Sequence, residues 1–329
     1  LRPLGLNPPW RRRSRTAGLT ASGRSMGALA ASENHTLSAS TVGQSPSGRG
    51  HTVCKTAASS RGWGSTETFT TSPVSRPTVP RGTPHRQKTL YSLGVAVYRI
   101  PDDRHLFPHA SLAEPNGLLG VGGDLHPSRL MLAYTNGIFP WYSEGQPILW
   151  FSPDPRCVLL PASLRIGRTL RRVLNRGDLR VTMDRAFPRV IHACKHIPRP
   201  GQDGTWITED MRQAYIQLHE LGHAHSVEVW QDDALVGGLY GVAVGGMFAG
   251  ESMFSTASDA SKVALVWLVR QVQVWGFGLV DAQVHTPTLE RMGAIEVGRS
   301  QYLEDLPTVL EHRGRIGRWE FDPGFSPID

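Results

Sequence analysis

The residues best suited to chemistry lie in two apolar segments in the last third of the chain. Glu251 interrupts the apolar run between Met247 and Phe254, and Asp281 and Gln283 interrupt a second run that follows. Desolvating an unpaired carboxylate on a buried strand is costly, so we expect Glu251 to meet a cation or to face a cleft, with an ordinary edge position as the alternative. Side chains at i and i+2 share a strand face, so Asp281 and Gln283 should project together; a wet, half-exposed face is the alternative.

A β-β-α-β order positions these side chains. Gly245-Gly246 divides residues 237–255 into the two strands of a hairpin, because glycine tolerates positive φ in tight turns. Alternation in the second strand places one set of side chains on one face, Met247, Ala249, Glu251 and Met253, and a second set on the other, Phe248, Ser252 and Phe254.

The helix between the hairpin and the last strand has clear end signals. Ser258-Asp259 should cap it, and Gly276 should end it just after Trp275. The strand 278–284 follows, with Leu279, Asp281 and Gln283 on one face and Val280, Ala282 and Val284 on the other.

Several ordered blocks of sequence match a known family. GGLYGVAVGGMFAGESMFS is followed by SKVAL and LVDAQV, and it is preceded by EPNGLLGVGGDL, GIFPWYSEGQPILWFSPDPR, GTWIT and LHELGHAHSVEVW. Over roughly residues 100–305, this series resembles the leucyl/phenylalanyl-tRNA–protein transferases of bacteria. The resemblance implies transfer of Leu, Phe and, less readily, Met from aminoacyl-tRNA to the N-terminal Arg or Lys of acceptor proteins. The new peptide bond marks those proteins for N-degron degradation, and no cofactor or metal is implied.

The resemblance also implies residue roles. Asp281 and Gln283 match the catalytic pair; since a carboxamide is a poor base, Gln283 should position groups or relay a proton while Asp281 orients it. Glu251 would bind the cationic first residue of the acceptor through charge-assisted hydrogen bonds. The aminoacyl-adenosine end of the tRNA would contact Tyr134, Trp141, Trp206 and Tyr215. The transferred side chain would enter a pocket lined by Leu239, Met253, Leu268 and Val280.

A basic helix is predicted over residues 163–176. Its apolar positions are Ile166, Leu170, Val173 and Leu174, and opposite them lie Arg165, Arg168, Arg171, Arg172 and Arg176. A solvated face usually mixes charge signs, whereas this one carries only Arg. We therefore expect it to contact the tRNA backbone, with a merely solvated face as the alternative.

The resemblance implies an α+β fold with an acetyltransferase-like (GNAT-like) C-terminal domain built on a mixed sheet. The expected organisation is a disordered, basic, Ser/Thr/Gly/Pro-rich extension over 1–95, a small N-terminal α/β domain over 96–156 and the catalytic domain over 157–329. Since the resemblance does not reach the extension, an over-extended gene model is favoured over a targeting or regulatory arm.

Net charge alone is a poor guide to partners in this chain. Residues 1–90 contain 13 Lys and Arg against two Glu, a charge of +11, so the overall +7 leaves −4 for the remainder. The three cysteines form no CxxC pair, which argues against a zinc ribbon or disulfide framework. The unpaired spacing of the cysteines indicates a reducing cytoplasm, and the sequence shows no membrane span or signal-peptide core. A monomer is expected.

Two other enzyme classes compete with this interpretation. His219-Glu220-Leu221-Gly222-His223 reads HELGH, which matches the HExxH motif of zinc peptidases, but Gly222 should end the helix and leave His223 outside it. An acetyl-CoA-dependent N-acetyltransferase would need a glycine-rich pyrophosphate loop before the helix. Residues 251–262 contain no glycine, so that loop is missing.

Overall fold

The computed structural model describes residues 97–198 and 205–328. The predicted extension over residues 1–95 lies outside this part of the chain. Within it, the protein has a mixed α/β fold with two sheets and seven α-helices.

The smaller sheet has four strands and belongs to the N-terminal half. Its strands lie in the order β1 (Tyr98–Ile100), β2 (Leu118–Gly122), β4 (Leu149–Phe151), β3 (Phe139–Pro140). Helix α1 (Pro127–Thr135) joins β2 to β3, and the His126 side chain caps it by accepting a hydrogen bond from the backbone N–H of Ser128. This cap fixes the start of the helix that carries Tyr134.

The larger sheet has seven strands and contains the segments singled out in the sequence. Its strands lie in the order β11 (Ile295–Val297), β5 (Arg156–Leu159), β10 (Leu279–Gln283), β9 (Met247–Ser255), β8 (Ala234–Val244), β7 (Ala224–Gln231), β6 (Arg180–Met183). Only β9 and β10 are parallel; the other neighbouring pairs are antiparallel. The remaining helices are α2 (Arg168–Arg176), α3 (Phe187–His196), α4 (Glu209–Glu220), α5 (Ala260–Val274), α6 (Pro287–Arg291) and α7 (Arg299–Leu310).

The predicted β-β-α-β order is confirmed, with one correction at a helix cap. Val244 pairs with Met247 around the Gly245-Gly246 turn, and Gly245 has a φ of +53°. Helix α5 ends where Gly276 predicts. Its start differs, because Asp259 makes no side-chain hydrogen bond to the first turn and instead pairs with Lys262 Nζ at 2.6 Å.

The predicted alternation along β9 is wrong at its second half. The register against β8 shifts between Tyr240, which pairs with Ser252, and Gly241, which pairs with Gly250. Such a bulge inserts one residue and reverses the faces of everything beyond it. Met253 therefore packs in the opposite core from Met247.

Two apolar cores lie on the two faces of the large sheet. The first core includes Leu119 and Trp150 of the smaller sheet together with Phe187 on α3, Tyr215 on α4 and Tyr302 on α7. The second core includes Phe248, Val280 and the buried face of α5. Cys157 and Cys194 are buried free thiols. None of the helices in 97–198 and 205–328 is long and apolar enough to cross a membrane.

Candidate active site

A cleft opens in the middle of the large sheet. The parallel pairing of β9 with β10 stops at Ala249 and Asp281, although β9 continues to Ser255 and β10 to Gln283. Strand β9 is buried up to Ala249 and partly exposed from Gly250 to Met253. Ligands of open α/β sheets bind where neighbouring strands separate at their carboxyl ends. The loss of pairing thus makes this cleft the candidate site.

Glu251 lies at the cleft, which is one of the two positions expected for it from the sequence. Its Oε1 accepts hydrogen bonds from the Tyr134 hydroxyl at 2.8 Å and from Gln283 Nε2 at 2.7 Å. Its Oε2 accepts one from the Tyr215 hydroxyl at 3.0 Å. Among the residues that the structure describes, no Lys or Arg forms an ion pair with it. The carboxyl is therefore held in place by neutral groups.

Glu251 is poised to change its charge near neutral pH. Desolvation raises the pKa of Glu251 to about 7, although hydrogen bonds from Tyr134, Gln283 and Tyr215 oppose the rise. Burial also raises the pKa of both tyrosines well above the usual value, so they stay neutral donors.

The two tyrosines also contact each other. Their hydroxyls lie 2.5 Å apart, so Tyr134, Tyr215 and Glu251 form one compact polar cluster.

The regular alternation expected for Asp281 and Gln283 is interrupted, because the register of β10 against β5 shifts between them and Gln283 has a φ of +63°, and the two side chains do different things. Asp281 is fully buried and pairs with Arg156 through both carboxylate oxygens, at 2.9 and 2.7 Å. The Tyr302 hydroxyl donates a third hydrogen bond at 2.9 Å. Gln283 lies beyond a shift of register against β5, and its side chain reaches Glu251. Sequence reasoning missed Arg156 and Tyr302, which are far from Asp281 in the chain.

Three of the four residues assigned to the aminoacyl-adenosine end pack in or against the first core. Tyr134 and Tyr215 meet directly at Glu251, and Trp206 packs against the same core. The fourth, Trp141, is 40% exposed, with its ring edge-on to Phe151 at 5.6 Å. An exposed indole is suited to stacking on a base or ribose.

The residues assigned to the side-chain pocket lie on the opposite face of the sheet. All four pack in the second core, where Leu239, Leu268 and Val280 are buried and Met253 is partly buried. Met253 joins the other three only because the bulge in β9 turns it to this face.

The basic helix is shorter than predicted. Helix α2 begins at Arg168, so Arg165 lies before it, and the backbone N–H of Arg165 bonds to Met292 O at 2.9 Å. That tertiary hydrogen bond diverts the chain before the helix starts. All five arginines are exposed, and the four on α2 are Arg168, Arg171, Arg172 and Arg176. Arg176 pairs with Asp178 at 3.2 Å, whereas the other three make no ion pair within 97–198 and 205–328.

The HELGH segment does not form the geometry of a zinc peptidase. Helix α4 ends at Glu220, and Gly222 has a φ of +79°, which leaves His223 outside the helix as predicted. His219 stacks on Phe187, and its Nδ1 lies 2.8 Å from Ala224 O. The two histidines are therefore not on one helix face, as that motif requires.

A carboxyl and a carboxamide that meet where two strands separate, on a chain that also exposes a helix of arginines, are consistent with a group-transfer enzyme. The family model "Leucyl/phenylalanyl-tRNA protein transferase" matches residues 158–307, and the model of that family's N-terminal domain matches residues 123–154. The chain belongs to the leucyl/phenylalanyl-tRNA protein transferase family, as its sequence blocks suggest.

Individual relatives agree with this membership. The leucyl/phenylalanyl-tRNA–protein transferase of Oleidesulfovibrio alaskensis is 54% identical over 227 residues, which cover 68% of this chain and 92% of that protein. The protein of the same name from Nitratidesulfovibrio vulgaris strain DP4 is 52% identical over 231 residues, or 70% of this chain and 99% of that protein. Among solved structures, that of L-PGS from Bacillus licheniformis overlaps with a TM-score of 0.30 and 10% identity, over 51% of this chain and 53% of that one. A likeness this low carries no argument on fold.

Proposed function

We propose that this protein transfers Leu, Phe and, less readily, Met from aminoacyl-tRNA to the N-terminal Arg or Lys of acceptor proteins. The acceptor α-amine attacks the ester carbonyl, the peptide bond forms as the ester C–O bond breaks, and the tRNA leaves with a free terminal ribose hydroxyl that takes the proton lost by the amine. The new peptide bond marks the acceptor for N-degron degradation. The observation that carries this proposal is the identity of 52–54% to relatives named for that donor, over 92–99% of their length.

Glu251 is the proposed binding group for the acceptor. It lies in the cleft without a cationic partner in the described part of the chain, while three neutral donors hold its carboxyl in place. A Lys or Arg side chain of the acceptor would supply the missing positive charge through a charge-assisted hydrogen bond. This arrangement accounts for selection of a basic first residue.

The chemical step demands mainly alignment. The ester of aminoacyl-tRNA is already activated, and an α-amine with a pKa of about 7.7–8.0 is partly neutral near pH 7. Proximity can therefore supply most of the acceleration. Gln283, at the cleft and 2.7 Å from Glu251, is proposed to position the amine or relay its proton, and Asp281 to orient Gln283.

The donor is proposed to cross the sheet through the cleft. Its adenosine would lie against Tyr134, Trp141, Trp206 and Tyr215 on one face, and its amino-acid side chain would enter the pocket of Leu239, Met253, Leu268 and Val280 on the other. A molecule that reaches both sets must pass where β9 and β10 separate. The ester carbonyl would then lie beside the hydrogen-bonded pair of Glu251 and Gln283.

The tRNA body is proposed to contact the arginines of α2. Arg168, Arg171 and Arg172 are exposed and have no carboxylate partner in the described residues, so they are available to phosphates. Arg165 and Arg176 extend this basic surface at either end. Contacts of this kind fix position and make binding salt-dependent.

An acetyltransferase-like (GNAT-like) architecture for residues 157–329 is also a proposal. Its support is a mixed sheet whose single parallel pair separates at the candidate site. The two family models stop at 154 and begin at 158, which agrees with a boundary near 156 after a smaller domain. We further propose a monomeric, cytoplasmic enzyme that works without a cofactor or metal.

A comparison of donors tests this function. The protein is incubated with an Arg-starting peptide and either labelled Leu-tRNA or labelled acetyl-CoA, with and without a chelator. The proposal predicts label from Leu-tRNA only, at a rate that the chelator does not change. Label from acetyl-CoA would instead indicate an N-acetyltransferase.

A further inference from the structure

Asp281 lies at the centre of a buried network. Its Oδ1 accepts hydrogen bonds from Arg156 Nε at 2.9 Å and from the backbone N–H of Gln283 at 3.0 Å. Its Oδ2 accepts hydrogen bonds from Arg156 Nη2 at 2.7 Å and from the Tyr302 hydroxyl at 2.9 Å. The side chain is 0% exposed. Asp281 therefore acts on the cleft only through the groups that it holds.

The backbone of Gln283 is strained, so other groups must keep it in its conformation. Its φ is +63°, in the left-handed region that L-residues other than glycine seldom adopt. Such conformations persist where the surrounding structure enforces them, and they concentrate at functional sites. Here the hydrogen bond from its N–H to Asp281 enforces the conformation, and the side-chain amide then reaches Glu251 Oε1 at 2.7 Å.

Arg156 and Tyr302 in turn fix the carboxylate of Asp281. The Arg156 guanidinium lies between the rings of Phe139, at 4.9 Å, and Tyr302, at 4.7 Å. Its third nitrogen donates to Gly137 O at 3.1 Å. The guanidinium of Arg156 is planar and is packed on both faces, so the carboxylate of Asp281 that pairs with it has little freedom to rotate.

We propose that Arg156 and Tyr302 are positioning residues for the transfer reaction. Through Asp281 they hold Gln283 in the left-handed conformation that places its amide beside Glu251. This inference rests on the proposed function, because the cleft is taken as the place where the acceptor amine meets the ester. Both residues act on Gln283 without touching either substrate.

Two conservative substitutions test the inference. Tyr302→Phe removes only the hydroxyl, and Arg156→Lys keeps the charge but loses the fork. Since a displacement of about 1 Å at a reacting group can lower a rate about a hundredfold, we expect kcat to fall about ten- to a hundredfold in both. The KM for Leu-tRNA should change by less than about twofold, because the groups that bind it remain, whereas the KM for the peptide should change only as far as the ionisation of Glu251 changes.

A second readout depends on the charge of Glu251. The hydrogen bond from Gln283 lowers the pKa of Glu251, so loss of that bond should move its ionisation to higher pH. The groups that act on Glu251 are Tyr134 on α1, Tyr215 on α4, Gln283 and Asp281 on β10, and the charge of Arg156 on β5. Tyr302→Phe leaves that charge in place and Arg156→Lys retains it, so both variants act mainly through the contacts of β10. Carboxyl NMR of the protein with labelled Glu measures the midpoint without any substrate.

Arg129 offers a matched control. It is also 0% exposed and pairs with Asp124 through two nitrogens, at 3.1 and 3.0 Å, but it contacts no residue of the cleft. Arg129→Lys should lower the melting temperature about as much as Arg156→Lys, yet leave kcat and the ionisation of Glu251 unchanged.

The results distinguish a failure of this inference from a failure of the proposed function. If Tyr302→Phe and Arg156→Lys behave like Arg129→Lys, with lower stability but wild-type kcat and wild-type ionisation of Glu251, the two residues are structural and the inference is wrong. A wild-type protein that transfers nothing from Leu-tRNA would instead contradict the proposed function. The NMR midpoint would in that case still test whether Arg156 and Tyr302 position Gln283.

Discussion

Acceptor binding should depend on pH through Glu251. With a pKa of about 7, this carboxyl is about one-tenth ionised at pH 6 and about nine-tenths ionised at pH 8. Only the ionised form attracts a cationic first residue strongly, so the affinity for an Arg-starting peptide should rise about tenfold between these pH values. The affinity rises over this range because the pKa of Glu251 is raised. A carboxyl with an ordinary pKa would already be fully ionised at pH 6, and the affinity would then stay constant.

Fluorescence anisotropy of a labelled Arg-starting peptide, measured without aminoacyl-tRNA from pH 5.5 to 8.5, gives this affinity directly. Glu251→Gln should bind weakly at every pH and lose the rise near pH 7, although titration of the peptide α-amine remains in both proteins. The exposed Glu304→Gln variant serves as the control and should follow the wild type. A wild-type affinity that stays constant from pH 6 to 8 would refute the role given to Glu251.

The same shift makes a prediction about stability. Because the folded pKa is raised from 4.5 to about 7, the neutral carboxyl favours the folded state fully below pH 4.5, and this contribution is lost as the pH rises through 7. A shift of this size corresponds to at most about 3 kcal/mol, and the partial exposure of Glu251 reduces it to about 1–2 kcal/mol. Glu251→Gln should therefore melt at a higher temperature than the wild type at pH 8 and at the same temperature at pH 4.5. Equal melting temperatures at both pH values would contradict the assigned shift.

Five further substitutions test three other parts of the account. Replacing Arg168 and Arg172 with Ala should weaken tRNA binding and flatten its salt dependence by up to about one slope unit per lost phosphate contact, and an unchanged slope would make α2 a solvated face. Asp281→Asn should lower kcat with little change in the KM of either substrate. The loss of kcat in the double mutant with Gln283→Ala should differ clearly from the sum of the two single losses, and additive losses would show that the pair does not act as a unit. Gly222→Ala should lower the free energy of unfolding by about 1–3 kcal/mol, because Gly222 has a left-handed backbone conformation and an added Cβ would overlap the backbone of Gly317. A wild-type melting temperature would contradict this packing.

Local sequence signals predicted the features that depend on a few neighbouring residues. The Gly245-Gly246 turn, the end of α4 before Gly222 and the end of α5 before Gly276 all follow from glycine at positions of positive φ or close approach. The position of Glu251 at a cleft was one of two predictions, because burying a single charge in an apolar strand costs free energy unless a partner or solvent reaches it. The structure agrees on each of these points.

The remaining features depend on contacts that no local pattern records. The bulge that turns Met253 to the second core depends on how β8 and β9 pair, and alternation within β9 does not reveal it. Arg156 and Asp281 are 125 residues apart, so their pairing is a tertiary event. Helix α2 starts later than its pattern because Arg165 bonds to Met292 across the fold.

Product analysis with acceptor peptides that differ only in their first residue tests the central claim most directly. Arg-starting and Met-starting peptides are incubated together with Leu-tRNA and the protein, and the products are sequenced by tandem mass spectrometry. The account predicts one added Leu, joined to the α-amine of the Arg-starting peptide, with the Met-starting peptide essentially unmodified. Equal modification of both peptides, or no added Leu on either, would contradict it.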